Sequence, residues 1–351
     1  MQLSIQGDQF LINGKPTYRD FPGARPEALG RLMNSRMVQA TFEDENPETV
    51  GFFRYPDGTP YDLDRQTSEF IAALGEYRRH GVIAVTVNFQ GGYPRAHTHL
   101  SPDDLLQPWE NTAYTPRGSL KWRYAMRMRQ VIEAAAEAGM VTIVGLCYFG
   151  QNHRLENEAA VTRAVSEAVE FLTSLTRSPA TADDRHGGPS GLAINRGNIL
   201  VEINNECDVG YVHEILQPHR VHELIHLARK VSAGKLLVST SYGGGSLPGD
   251  KVLEAADFVL LHGNGQQPEE IRRMVASTRA RTSKPIVFNE DSTSIANLRA
   301  AWESGASWGY YDQGSGNYRD GFQSPPTNWA INTPQKQAFF TTVAELVGIT
   351  P

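Results

Sequence analysis

A chain of 351 residues holds one large domain or two ordinary ones, and its 40% hydrophobic and 9% aromatic content supports a sizeable core. A net charge of −6 without a basic stripe argues against a nucleic-acid partner, and no apolar run reaches bilayer-spanning length. The two cysteines, Cys147 and Cys207, leave no disulfide framework and read as free, buried thiols.

The opening MQLSIQGDQF has neither a basic n-region nor an apolar h-region. It reads as a cytoplasmic protein, or equally as a secreted one whose leader has been removed. Residues 3–18 alternate as a β-hairpin with a turn at Asn13-Gly14, too small to stand alone and so expected to cap something larger. Strand and helix patterns then alternate to the C-terminus. Strands are expected near 37–42, 82–89, 141–147, within 198–208, 236–240, 258–261, 286–288 and 307–311. Helices are expected near 64–80, 122–138, 156–176, 212–231, 251–256, 269–278, 295–303 and 334–347. Eight strands, each followed by a helix, is the count of a (β/α)8 TIM barrel in the α/β class. A doubly wound sheet is the alternative, weakened because no strand is followed by a Gly-rich phosphate fingerprint. The expected organisation is one catalytic barrel over 21–351, with the hairpin of 1–20 packed on it.

Two strands end alike. The run ILVEI is followed by Asn204, Asn205 and Glu206, and PIVF is followed by Asn289 and Glu290. Barrel ligands gather beyond the carboxyl ends of the strands, so both glutamates are delivered to one cleft. The connections after strands one, two and eight are each roughly 20 residues or more, well above ordinary lengths. They carry Phe52, Phe53, Tyr55 and Tyr61, then Tyr93, Trp109 and Tyr114, then Tyr318, Phe322 and Trp329. As a set these rings suit the apolar C–H faces of sugars.

With Asn205-Glu206 closing strand four and Glu290 closing strand seven, the sequence resembles a clan A glycoside hydrolase, family 5-like but divergent. The resemblance implies that Glu206 is the general acid/base, that Glu290 is the nucleophile, and that Asn205 binds the substrate's 2-hydroxyl. It also implies a β-type bond cleaved with retention, without a cofactor or metal. Retention needs the two carboxyls about 5–5.5 Å apart, close enough that both do not ionise easily. In the family a residue after strand six orients the nucleophile, and His262 stands there. For the Trp common at the end of strand eight the chain offers Trp308 and Tyr310, with Tyr311 beyond them. Asn88, Gln90 and Tyr148, with 151–153, are further candidate sugar contacts, and Arg54 and Arg95 are candidates for the family's arginine.

Three rivals remain. The segment HELIH has the zinc-peptidase spacing in His222, Glu223 and His226. Its apolar face, with Leu224, Leu227, Ala228 and Val231, turns both histidines outward, and Arg220 and the lack of a third ligand count against it. His97 and His99 could also suggest a metal, and surface or cleft-lining histidines are the blander reading. The presence of both strand-end glutamates counts against a barrel that binds carbohydrate without cleaving it, and metal-dependent isomerase chemistry would want Asp, Glu and His clustered at several strand ends, where only two carboxylates stand out. The sugar, exo or endo action, transglycosylation and oligomeric state are open at this level.

Overall fold

The computed structural model describes residues 1–92, 106–176, 197–314, 318 and 320–351. Tyr93, Arg95, His97 and His99 lie outside these. The chain begins with an antiparallel sheet, β1 (Leu3–Gln6), β2 (Gln9–Ile12) and β3 (Lys15–Pro16), in that order. It is a three-stranded meander rather than a single hairpin. Asn13 and Gly14 both have positive φ, 52° and 76°, as the tight turn between β2 and β3 requires. The sheet closes the amino-terminal end of a barrel. Leu3 N–H donates to Gly197 O at 2.8 Å just ahead of a barrel strand, and Phe10 meets Phe258 edge-on at 5.9 Å.

Among the described residues, eight barrel strands follow: β4 (Asn34–Arg36), β5 (Ala84–Asn88), β6 (Val141–Tyr148), β7 (Ile199–Asn205), β8 (Leu237–Ser239), β9 (Val259–His262), β10 (Ile286–Glu290) and β11 (Gly309–Tyr310). Parallel ladders run in the order β11-β4-β5-β6-β7-β8, with β9 and β10 paired separately. Two seams close the circle. Phe288 N–H donates to Ser307 O and Ser307 N–H to Ile286 O, both at 3.0 Å, joining β10 to the approach of β11. Asp257 N–H donates to Val238 O at 2.9 Å, and the Asp257 carboxylate accepts from Val238 N–H at 2.8 Å, joining β8 to β9. The fold is a (β/α)8 barrel.

The outer ring is α1 (Leu63–Arg79), α2 (Trp122–Glu137), α3 (Glu158–Leu175), α4 (Val221–Val231), α5 (Asp250–Ala255), α6 (Pro268–Arg279), α7 (Ile295–Glu303) and α8 (Pro334–Val347). Their ends follow local chemistry. The side chains of Asp62, Asn157, Ser294 and Thr333 accept from the first-turn N–H groups of α1, α3, α7 and α8. On α1, Phe70, Leu74 and Tyr77 fall at helical spacing and are buried, each worth about 1.5–3 kcal/mol of transfer from water. Among the described residues no helix is long and apolar enough to cross a membrane.

Two expectations are corrected here. The first barrel strand is Asn34–Arg36, not the apolar 37–42; Val38–Thr41 forms a 3-10 turn beyond its end. The polar NSR triplet pairs with β5 and β11, and the apolar residues after it are buried without joining a ladder. The fourth helix begins at Val221 rather than near 212, because the intervening chain turns through a short 3-10 segment, Glu214–Leu216, ahead of Pro218.

Candidate active site

Glu206 directly follows β7 and Glu290 is the last residue of β10, so both stand at the carboxyl end of the barrel. One oxygen of each, with a ring nitrogen of His262 from the end of β9, lie within 4.8 Å of one another. Glu206 has φ of +53°, a left-handed conformation that costs a non-glycine residue about 1–2 kcal/mol. It is held by its N–H donating to Ser241 Oγ at 3.0 Å, and by Val209 N–H donating to its carbonyl at 2.9 Å. Backbone strain held against its preference is a recurrent feature of functional sites. The two carboxyl side chains are 14% and 9% exposed, shielded yet reachable.

Arg36, at the end of β4, organises the floor. Its Nε contacts Glu290 Oε2 at 2.7 Å, its Nη2 donates to Asn205 Oδ1, and its Nη1 lies 3.4 Å from Glu202 Oε2. Strands β4 and β7 are not neighbours in the sheet, so these contacts cross the barrel interior. Burial lowers the affinity of Arg36 for its proton, but Glu290 and Glu202 outweigh that and hold it above the ordinary value. Asn264 Nδ2 donates to the other Glu290 oxygen at 2.9 Å. Burial pushes the Glu290 carboxyl up and Glu206 adds to this, against the pull of Arg36, His262 and Asn264. His262 is fully buried, with Nδ1 2.9 Å from Glu206 Oε1 and 3.8 Å from Glu290 Oε2. Burial alone would lower its pKa, but the two carboxylates raise it.

Tyr148 and Tyr311 complete the surroundings; both lie close enough for their phenols to be raised by burial and by the charges of Glu290 and Glu206. The Tyr148 ring rests on Gly91, where an added Cβ would come within 2.1 Å of Cδ1 and where φ is +76°. Only glycine allows that approach. A cleft of about 950 Å³ opens next to this group of residues, lined in part by Asn264, Asp291, Tyr311 and Gln313 but not by either glutamate.

The sequence-derived candidates divide. Asn205, Glu206, Tyr148, His262 and Glu290 come together. Gln90 does not face the cleft: it is buried, its Oε1 accepting from Tyr148 N–H at 3.1 Å and its Nε2 donating to Thr112 at 2.9 Å. Asn88 is buried against Gly145, its amide closed off from solvent. Trp308 and Tyr310 turn away from the barrel interior onto Phe339 of α8. Tyr310 stacks on that ring at 4.4 Å, and Trp308 Nε1 donates to Asp291 at 2.7 Å. Arg54 is spent on the carbonyls of Gly51 and Gly58, and the arginine that reaches Glu290 is Arg36. Many loop rings also pack rather than line a cleft. Phe53, Trp109 and Tyr61 gather with Phe42 in a satellite core, and Phe322 stacks on Trp329 at 5.9 Å.

Arg36, Glu202 and Asn264 were missed. Glu202 did carry a signal, as a charged residue in the middle of an otherwise apolar strand. Arg36 carries no such signal, because the strand pattern lies in the apolar run after it and not in the NSR triplet it closes.

Among the described residues, Glu206, His262 and Glu290 are also a group of donors that could hold a metal ion. Both Glu290 oxygens are already engaged by Arg36 and Asn264 and one Glu206 oxygen by His262, and the Arg36 guanidinium repels a cation there. In HELIH the His222 and His226 rings lie 6.2 Å apart, edge to face, on the outer wall, and Glu223 is paired with Arg220 at 2.9 Å. Both cysteines are free and buried.

No protein-family model and no curated protein sequence matches the chain. Solved structures do. A β-mannanase from the blue mussel Mytilus edulis superposes with TM-score 0.57 at 12% identity, over 98% of this chain and 96% of that one. An endo-1,4-β-mannanase from Rhizomucor miehei gives 0.54 at 12% identity, over 88% and 90%. A β-glucosidase from Thermotoga maritima gives 0.52 at 11% identity, over 93% and 100%. At such identities the shared property is the fold: a (β/α)8 barrel of the architecture seen in these glycosidases.

Proposed function

We propose that this protein is a retaining glycoside hydrolase acting on a β-type bond of an oligo- or polysaccharide or a simple glycoside. The observation that carries this is the pair Glu206 and Glu290, at the ends of β7 and β10 with oxygens inside 4.8 Å. That approach is in keeping with the carboxyl separation of about 5–5.5 Å used for direct attack rather than the about 6.5–9.5 Å of an inverting pair. Glu290, its oxygens oriented by Arg36 and Asn264, attacks the anomeric carbon. Glu206, with one oxygen on His262 Nδ1, presents its other oxygen and donates a proton to the leaving group. Water then hydrolyses the glycosyl-enzyme with Glu206 as base. Asn205 has its Oδ1 committed to Arg36, so its Nδ2 is the atom that meets a sugar hydroxyl.

A panel of 2-deoxy-2-fluoro glycosides with good leaving groups, read by intact mass, tests this. A mass gain that maps to Glu290 and vanishes in Glu290→Gln supports it and names the sugar. Failure of azide to rescue Glu206→Ala on any activated glycoside, with no turnover by the intact protein, would leave a carbohydrate-binding barrel instead.

A further inference from the structure

Glu202 lies in the middle of β7 with no exposed surface, four residues before Glu206. A carboxylate inside a barrel is costly to desolvate unless it is paired and hydrogen-bonded. Its partners are specific. Oε2 faces Arg36 Nη1 at 3.4 Å, and Oε1 accepts from Asn289 Nδ2 at 3.2 Å. The Oε1 atom also lies 3.9 Å from His262 Nε2, beyond hydrogen-bond reach but close enough to act through charge. Arg36 in turn binds Glu290 and Asn205. One buried carboxylate is therefore tied directly to the residue before Glu290 and, through Arg36, to the residue before Glu206.

We propose that Glu202 is a positioning residue that shares the Arg36 guanidinium with Glu290, so that the attacking carboxylate keeps its basicity. This rests on the reading of Glu290 as nucleophile. The physical reason is division of charge. A guanidinium facing Glu290 alone would stabilise its anion fully and weaken it as a nucleophile; a second carboxylate on the same cation offsets part of that pull. Among the described residues, the remaining charged or titratable groups that act on Glu290 are Glu206 beyond β7, His262 on β9, Tyr148 on β6 and Tyr311 beyond β11. Of the two carboxylates that share Arg36 with Asn205, Glu202 alone is sealed from the cleft, so substrate binding leaves its effect in place.

The test follows the Glu290 carboxyl itself, so it does not depend on turnover. The full-length protein is labelled with 13C at glutamate side-chain carboxyls, the Glu290 resonance is assigned by its loss in Glu290→Gln, and its titration is recorded. In Glu202→Gln the Glu290 midpoint is expected to move to lower pH by about one unit or more. Glu202→Asp, which keeps the charge but draws it back from Arg36, should fall between the two. If the Gln variant does not fold, the Asp variant decides. An unchanged midpoint in the folded variants, or one moved to higher pH, overturns the proposal. In an active enzyme the acidic limb of kcat/KM moves with the midpoint. A midpoint that shifts in a protein with no glycosidase turnover would uphold the charge sharing and reject the hydrolase reading alone.

Discussion

Replacing Arg36 by Met is the most informative single perturbation of this molecule. The guanidinium is 2% exposed and lies 2.7 Å from Glu290. At an effective dielectric of about 20, a unit pair at that distance attracts by about 6 kcal/mol. Desolvation of both ions offsets much of this, and removing one member of a buried pair typically costs about 3–5 kcal/mol. Arg36→Met leaves Glu290 and Glu202 buried together with no cation between them. The loss should depend on pH. The folded-state pKa of Glu290 is already raised by burial, and without Arg36 it rises further above the unfolded value of about 4.3. A carboxyl raised in this way destabilises the fold as pH climbs past the unfolded value, and the deficit is complete only above the folded one. Urea unfolding should therefore show a deficit of about 3–5 kcal/mol near pH 7.5 and a much smaller one near pH 4. A deficit below about 1 kcal/mol, or one of equal size at both pH values, would refute the account of Arg36 as the counter-charge of a buried carboxylate pair.

Three further outcomes are expected. Trp308→Phe leaves Asp291 short of a donor and should cost about 1–3 kcal/mol in unfolding assays while leaving KM for any glycoside unchanged. A raised KM with intact stability would show that the ring meets sugar after all. Gly91→Ala places a Cβ within 2.1 Å of the Tyr148 ring at φ of +76°. Its cost should be about 1–2 kcal/mol for the left-handed backbone and about 1–3 kcal/mol for overpacking, read as a lowered Tm, with only the backbone share expected if the ring can swing aside freely. His226→Ala, on the exposed wall of α4, should change stability by no more than about 0.5 kcal/mol and leave glycoside turnover intact. Loss of a chelator-sensitive activity in that variant would instead revive a metal role for HELIH.

The alternation of elements was legible from the chain alone. Apolar runs and helical periodicity marked seven of the eight barrel strands and all eight helices, the first strand lying in the polar triplet just ahead of its apolar run, and strand-end polarity pointed to Glu206 and Glu290, which the barrel brings together. The interior was much less legible. A strand in a closed, helix-covered sheet is buried on both faces, so its sequence carries little alternation to say which side chains look inward. Trp308 and Tyr310 therefore looked like cleft residues until the structure showed them against α8, and Gln90 and Asn88 proved to be buried framework. The loop aromatics were ambiguous for a related reason. A ring that covers a long loop and a ring that stacks on a sugar have the same composition, and only packing separates the two. Arg36 and Glu202 are far apart in sequence and sit on strands that are not adjacent. Their meeting is a consequence of barrel closure, which brings opposite strands within the reach of two long side chains. Local sequence chemistry placed Glu206 and Glu290 at strand ends; the closed tertiary structure supplied the cation that Glu290 shares with Glu202.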